Sequence, residues 1–245
     1  MKNFSNRYIY IYSIVLALVV AAVLAVVAVV LKPYQQKNIE AEQMQQLLAS
    51  AGINVERTEA ETNYAKYITK EFTVNNNGEI VDEYSDGKQT KGTDRPFSVS
   101  VKAQYKQYKA GAQAKLPVYI CKKDNGELVY IVPVRGAGLW GDIWGNVALK
   151  SDLNTIEGVT FDHESETPGL GSKIKDDPSF VASFKNKTIY DNDSFVSVEV
   201  KKRAGNADPH KVDALSGATL TSNGVSSMLK DCLTFYLPYF KTLKK

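Results

Sequence analysis

The chain contains 245 residues, of which 44% are hydrophobic and 23% are charged. This composition excludes an intrinsically disordered chain, because it supplies enough apolar surface for a folded core. The formal net charge is only +3 and the basic residues form no stripe, so nothing indicates a nucleic-acid partner. The two cysteines and two histidines have no metal-ligand spacing, so we expect no metal site and expect Cys121 and Cys232 to be buried free thiols.

An uncharged apolar run occupies positions 8–31. It spans 24 residues without glycine or proline, and crossing the hydrocarbon core of a bilayer takes about 20 apolar residues. A cleaved signal peptide has a shorter apolar region, about 7–15 residues, followed by a small-residue cleavage site. The segment 31–34, Leu-Lys-Pro-Tyr, offers no such site. The sequence therefore predicts a retained single-pass transmembrane helix, with residues 1–32 forming a short tail and the anchor.

The short tail also sets the expected orientation of the chain. A tail of this length usually stays in the cytoplasm while the large domain is exported, and Lys2 and Arg7 precede the span. We therefore expect residues 33–245 to form an extracytoplasmic domain. One span without an internal ionisable group cannot itself form an ion path.

Hairpin and helix patterns alternate through the rest of the chain and predict an α+β domain. Helical spacing over 33–51 predicts a stalk helix, and the amphipathic segment 221–237 predicts a closing helix. Turn residues flanked by apolar alternation predict three β-hairpins, over 72–84, 116–134 and 147–161. The remaining expectations are a loop at 86–94, a glycine- and tryptophan-rich segment at 135–145, an irregular stretch at 165–171, a short helix at 177–184 and a strand at 195–202. Hairpins with flanking helices favour an antiparallel sheet.

The segment 213–222 links the last predicted strand to the closing helix. Its sequence, DALSGATLTS, combines small residues with several hydroxyl groups. Small residues let a ligand approach the backbone, and a helix N-terminus offers free N–H groups and a positive dipole end. The segment therefore fits a phosphate site. It fits a plain helix start equally well, with Thr221 or Ser222 as the cap and Gly217 in the turn.

The first seven residues of this segment, DALSGAT, resemble the flavinylation motif Asp-x-x-Ser/Thr-Gly-Ala-Thr. The resemblance implies that a flavin transferase takes the FMN moiety from FAD and joins its phosphate to the hydroxyl of the final threonine, Thr219. Thr221 is the second choice. A phosphoester leaves the flavin ring chemically unaltered, so protein contacts must set its reduction potential.

Other features resemble one protein family when they are taken in chain order. The N-terminal span, Gly-Leu-Trp at 138–140, Glu-Thr-Pro-Gly-Leu-Gly at 166–171 and SGATLTS at 216–222 follow one another. This order resembles the C subunit of the Na⁺-translocating NADH:quinone oxidoreductase. The related G subunit of the Rnf ion pump shares the anchor, the ETPGLG-like stretch and the flavin motif, and the segment 138–140 favours the quinone reductase. Arg-Gly-Ala-Gly at 135–138 departs from the Gly-Arg-Gly-like element of the family.

The resemblance implies a covalent-FMN electron-transfer subunit of a complex in the cell inner membrane. That complex oxidises NADH, reduces quinone such as ubiquinone and exports sodium, with sodium transport located in its polytopic subunits. The implied partners are the other subunits and, during maturation, a flavin transferase. Two alternatives stay open: a G subunit of an Rnf-type ferredoxin:NAD oxidoreductase, and an anchored extracytoplasmic adaptor without a cofactor.

We expect the flavin-binding residues in three segments, two of which, 166–171 and 213–222, are indicated by the resemblance. These residues are Leu139, Trp140, Glu166, Thr167, Gly169, Leu170, Asp213, Ser216, Gly217, Ala218, Thr219, Thr221 and Ser222. We expect no catalytic residue, because no Ser-His-Asp, paired-acid or P-loop constellation stands out. Leu139, Trp140 and Trp144 fit a ring wall, core packing or a subunit-docking face equally well. Asp213 would repel a phosphate, so it either serves the transfer reaction or fixes the turn.

Overall fold

The computed structural model describes residues 5–205 and 207–243. By its internal contacts the chain divides into two units, Met1–Gln43 and Met44–Lys245. Helix α1 (Asn6–Ser50) is continuous through Pro33, so the helix predicted over 33–51 is confirmed and continues the helix of the apolar run without a break. In the described residues α1 is the one helix long and apolar enough to cross a membrane, and its apolar window is fully exposed.

A seven-stranded antiparallel sheet forms the centre of the second unit. Its strands are β1 (Ile68–Asn75), β2 (Ile80–Ser85), β3 (Lys88–Lys91), β4 (Lys115–Lys122), β5 (Leu128–Ala137), β6 (Asp142–Lys150) and β7 (Ile156–His163). Their order in the sheet is β3-β2-β1-β4-β5-β6-β7. The three predicted hairpins are confirmed as β1–β2, β4–β5 and β6–β7, each pair antiparallel.

The predicted loop at 86–94 is wrong, because it contains β3. This strand pairs with β2 at the edge of the sheet. Its sequence is Lys-Gln-Thr-Lys and all four residues are exposed, so it lacks the apolar alternation that marks a half-buried strand. A short, lysine-flanked edge strand is one way in which proteins discourage further strand pairing.

The remaining helices and four small strands flank the sheet. The helices are α2 (Ala60–Tyr67), α3 (Val101–Lys109), α4 (Lys173–Asp176), α5 (Pro178–Ala182) and α6 (Thr219–Leu243), with 3₁₀ turns at Arg57–Glu59 and Pro96–Ser98. The small strands are β8 (Tyr190–Asp191), β9 (Ser194–Phe195), β10 (Glu199–Lys201) and β11 (Lys211–Asp213), of which β10 and β11 pair in parallel.

Two predicted elements of this part differ from the structure. The single strand predicted at 195–202 is wrong, because Ser197 adopts a positive φ of 64° and separates β9 from β10. The helix predicted at 177–184 is present but shorter, as α5. Its start is as expected, since the Asp177 side chain accepts a hydrogen bond from the Ser179 N–H at 2.9 Å.

Helix α6 packs its apolar face on the sheet and brings its N-terminus to the β5–β6 turn. Val225, Met228 and Cys232 are buried on this face, as the amphipathic pattern predicts. The backbones approach closely, because a Cβ at Gly224 would lie 2.5 Å from the Ala137 carbonyl oxygen. The helix begins at Thr219 rather than 221, so Thr221 and Ser222 lie inside its first turn and the prediction that one of them is the N-cap is wrong.

The end of α1 that belongs to the second unit covers the free edge of β7. The Gln46 side-chain amide donates to Asp162 Oδ2 at 2.9 Å, and the Thr160 hydroxyl donates to the Gln46 carbonyl at 3.3 Å. A Cβ at Gly158 would lie 2.5 Å from the Ser50 carbonyl oxygen. Both edge strands are thus protected from further strand pairing, β3 by its lysines and β7 by the end of α1.

Candidate functional site

The motif loop turns sharply between β11 and α6. Ser216 and Gly217 form the turn, with Gly217 at a positive φ of 75°. Thr219 is the first residue of α6 and is exposed. The first N–H groups of a helix have no intrahelical partner and lie at its positive end. The Thr219 hydroxyl therefore stands where a phosphate is favoured.

The two candidate threonines have opposite environments. Thr219 is exposed, whereas Thr221 is only 1% exposed. The Thr221 hydroxyl donates a 2.6 Å hydrogen bond to Glu166 Oε2. Ser222 is also buried, and its Oγ accepts from the Leu215 N–H at 3.2 Å. Among the hydroxyl residues at 219, 221 and 222, only Thr219 is open to a reaction partner.

The structure brings the three predicted segments together at Glu166, which is 5% exposed. Its Oε1 accepts from the Trp140 N–H at 3.0 Å, while its Oε2 accepts from Thr221. A Cβ at Gly138 or at Gly171 would lie 2.3 Å from one of these oxygens. Glycine at both positions therefore makes room for the carboxylate.

An apolar patch is exposed on these same segments. We define it as Leu139, Trp140, Leu170 and Leu220, with Trp140 the most exposed at 65%. These are four of the seven exposed large hydrophobic residues in the described part of the second unit. The Leu170 side chain reaches the motif turn, because a Cβ at Gly217 would lie 2.8 Å from Leu170 Cδ2. The patch thus lies on the segments that surround Thr219.

The loop that presents Leu170 is closed by its own hydrogen bonds. The Thr167 carbonyl accepts from the N–H groups of Leu170 and Ser172, at 3.1 and 3.2 Å. Gly169 adopts a positive φ of 75°, and its N–H donates to Ser172 Oγ at 3.1 Å. Thr167, Gly169 and Leu170 are all exposed on this fixed turn.

Asp213 holds a neighbouring turn. Its Oδ1 accepts from the Ala204 N–H at 2.7 Å and from the Gly205 N–H at 3.3 Å. These bonds tie the turn that follows β10 to the end of β11. The sequence left two roles open for Asp213, the transfer reaction and the turn. The structure shows the contact that fixes the turn.

Trp144 lies on β6, outside the turn that carries Leu139 and Trp140. Its ring packs under the Arg135 guanidinium, with 5.0 Å between the guanidinium carbon and the ring centroid. Arg135 in turn binds Asp142 Oδ2 at 2.6 Å. Hydrogen bonds from Lys102 and Arg135 lower the pKa of Asp142. Of the three residues considered for a ring wall, Leu139 and Trp140 are exposed and Trp144 is half-buried.

A cleft of about 950 Å³ borders the first four motif residues, 213–216. Lys173, Lys185 and Lys187 contribute to its walls, whereas Thr219 and the apolar patch do not. Within residues 5–205 and 207–243, no group of three or more His, Cys, Asp or Glu residues is placed to hold a metal ion.

Sequence reasoning missed two parts of this site. Leu220 is exposed beside Thr219, and the helical pattern already places it off the buried face of α6. His163 Nδ1 accepts the Glu166 N–H at 3.1 Å and so shapes the turn before the carboxylate. No local signal in the sequence marks this contact.

The fold and the site together define a class of protein. The family model described as FMN-binding domain matches residues 138–234, which contain the loop at Trp140, the Glu166 turn and more than half of α6. The chain is therefore an FMN-binding-domain protein whose domain is carried on a long apolar helix.

Whole-chain comparisons specify the family. The C subunit of the Na⁺-translocating NADH-quinone reductase of Haemophilus ducreyi is 32% identical over 220 residues, covering 89% of this chain and 85% of that protein. The same subunit of Vibrio anguillarum is 34% identical, covering 86% and 84%. The crystal structure of the Parabacteroides distasonis C subunit is 36% identical with a TM-score of 0.75, covering 86% of this chain and 96% of that one. The chain belongs to the C-subunit family of the Na⁺-translocating NADH-quinone reductase.

Proposed function

We propose that this chain carries FMN as a phosphoester on Thr219 and works as an electron-transfer subunit of a Na⁺-translocating NADH-quinone reductase. The observation that carries the proposal is the exposed Thr219 hydroxyl at the start of α6. Family membership and the FMN-binding domain support the electron-transfer role. The relatives are subunits of one membrane reductase, which favours this role over that of an Rnf-type subunit.

The residues around Thr219 fit both ends of the proposed cofactor. The helix N-terminus favours the phosphate, because its free N–H groups and positive dipole end face an anion. Leu139, Trp140 and Leu170 offer an apolar surface to the flat ring. Thr167 and Gly169 belong to the turn that presents this surface, while Ser216, Gly217 and Ala218 shape the approach to Thr219.

Attachment requires a flavin transferase and FAD. The Thr219 oxygen forms a bond to the phosphorus of the FMN moiety, the bond between the two phosphates of FAD breaks, and AMP leaves while the hydroxyl proton is lost. Once bound, FMN supplies one- and two-electron redox chemistry, whereas the chain supplies position and polarity. The threonine ester keeps the cofactor on a domain from which it could otherwise dissociate.

The proposed location has residues 1–32 as tail and inner-membrane anchor, with residues 33–245 on the extracytoplasmic side. The support is the long apolar helix α1 and the basic residues Lys2 and Arg7 that precede the apolar run. Other subunits of the reductase are the partners, and sodium passes through those that have several spans, because α1 carries no charged group between Tyr8 and Leu31.

The test replaces the proposed attachment residue. We expect Thr219→Val to abolish covalent flavin when the chain is co-expressed with a flavin transferase, because valine has the same shape but no hydroxyl. The measurement is ultraviolet fluorescence of the denatured band, with intact mass and fragmentation of the tryptic peptide Val212–Lys230, which contains both threonines. The matched control is Thr234→Val on the exposed side of α6. A dark, unmodified parent chain would favour the adaptor without a cofactor, and flavin on Thr221 would contradict the assigned residue.

A further inference from the structure

The carboxylate of Glu166 is buried without a cationic partner. None of the ion pairs in the described residues includes Glu166, although the residue is only 5% exposed. Burying an unpaired charge is costly unless hydrogen bonds stabilise it. Its two donors, the Trp140 N–H and the Thr221 hydroxyl, are therefore integral to the site and not incidental contacts.

We propose that Glu166 is a positioning residue for flavin attachment. Together with Trp140 and Thr221 it forms a hydrogen-bonded clasp that fixes the β5–β6 turn, which carries Trp140, against the first turn of α6 in the unmodified chain. The same clasp occupies the Thr221 hydroxyl and leaves Thr219 as the acceptor. This inference rests on the proposed function and deepens it, because it names what selects the attachment residue.

The surroundings of the clasp favour this role over an ordinary cross-link in the core. The carboxylate oxygens fill the space left by the missing side chains of Gly138 and Gly171. Each of its partners lies within two residues of a group in the proposed flavin site: Trp140 belongs to the apolar patch and Thr221 follows Thr219 by two positions. A cross-link that only stabilised the core would not need to join these particular segments.

The main variant is Thr221→Val, which keeps the shape of the side chain and removes the donor. We expect it to slow flavin attachment to Thr219 by about tenfold, the low end of what the loss of a hydrogen bond to a charged group costs. Thr221→Ser, which restores a hydroxyl, should recover the rate. Thr234→Val is the matched control on the same helix, and its rate should equal that of the parent chain.

Attachment is measured on the purified full-length chain with a flavin transferase, FAD and Mg²⁺, by the rise of intact mass with time. A double-mutant cycle distinguishes positioning from general destabilisation. If the clasp acts as one unit, Glu166→Ala with Thr221→Val is no slower than Glu166→Ala alone. A second readout needs no flavin: in a Trp144→Phe background, the fluorescence anisotropy of Trp140 should fall in Thr221→Val.

The outcomes separate this inference from the proposed function. If the parent chain is modified on Thr219, but Thr221→Val matches it in rate and in Trp140 anisotropy, the positioning role is overturned while the proposed function stands. Independent, additive losses in the cycle would overturn it as well. If the parent chain accepts no flavin, the proposed function itself fails.

Discussion

At the scale of single residues, Asp213 makes a structural contact that accounts for its place in the motif. Its carboxylate is exposed, and one oxygen accepts two backbone N–H groups from the turn at 204–205. A carboxylate does not favour a nearby phosphate, because like charges repel. The position of Asp213 at the start of the motif is therefore better explained by its hydrogen bonds to the turn at 204–205 than by a contact with the phosphate.

We expect Asp213→Asn to keep most of the flavin attachment rate and Asp213→Ala to lose about tenfold. The asparagine Oδ1 can accept the same two hydrogen bonds, whereas alanine leaves both donors without their acceptor. The measurement is the rise of intact mass with a flavin transferase and FAD. Asp231→Ala, an exposed position on α6, controls for the loss of an acidic residue. If Asp213→Asn is as slow as Asp213→Ala, the negative charge itself takes part in the transfer.

At the scale of elements, the sequence predicts those parts whose pattern reflects burial. The three hairpins carry turn residues between apolar strands, and the amphipathic face of α6 is the face that packs on the sheet. Elements with little buried surface are missed: α3 buries only Tyr105, and β3 buries nothing. Hydrophobic periodicity cannot report an element that has almost no buried face.

The candidate site likewise has a part that the sequence predicts and a part that only the structure shows. Its segments are identified by resemblance, and the structure shows that they meet. Their meeting point is not predictable from local pattern, because a glutamate is normally exposed and Thr221 lies 55 positions away along the chain. The difference between Thr219 and Thr221 follows from this contact, so sequence alone could only rank the two threonines.

The packed face of α6 also predicts a response to alkaline pH. Burial raises the pKa of the Cys232 thiol from its ordinary 9.0 to about 11, and burial raises the pKa of Tyr105 and Tyr236 well above 10.0. Because the folded-state pKa is the higher one, the unfolded chain loses its proton first as the pH rises. The stabilisation present below pH 9 is thus lost as the pH approaches 11.

We expect the free energy of unfolding in urea to fall between pH 9 and 11 by roughly 1.4 kcal/mol per pH unit for each such thiol. Cys232→Ser is the matched variant. Its hydroxyl can replace the thiol, which donates to the Arg135 carbonyl at 3.1 Å and accepts its N–H at 3.3 Å, and it does not titrate in this range. The slope should therefore be smaller in the variant. Equal slopes in both proteins would show that Cys232 does not carry the effect.

At the scale of the whole molecule, the chain combines an apolar helix suited to a lipid bilayer with a second unit that has a charged, water-compatible surface. The exposed apolar window of α1 needs a hydrocarbon environment, whereas the second unit has its own core. Most of the charged side chains of the chain belong to this second unit and cannot remain in a bilayer. When α1 spans a bilayer, its orientation therefore decides which aqueous phase the second unit faces.

The orientation can be tested with thiol labelling, because we expect the two native cysteines not to react with the label. Cys121 and Cys232 are both buried, and burial raises the pKa of each thiol to about 11, so little reactive thiolate exists near neutral pH. We expect a membrane-impermeant maleimide to label Lys88→Cys, on the exposed edge strand β3, in intact spheroplasts. Ser5→Cys, in the tail, should react only after permeabilisation.

The parent chain without an added cysteine is the control and should stay unlabelled in both conditions. Labelling of the tail on the full-length chain also tests whether the anchor is retained, since a cleaved signal peptide would remove position 5 from the domain. The reverse pattern, with Ser5→Cys labelled in intact spheroplasts and Lys88→Cys protected, would place the domain in the cytoplasm. The flavin proposed on Thr219 would then face the compartment that contains NADH, and the proposed electron-transfer role would have to be revised.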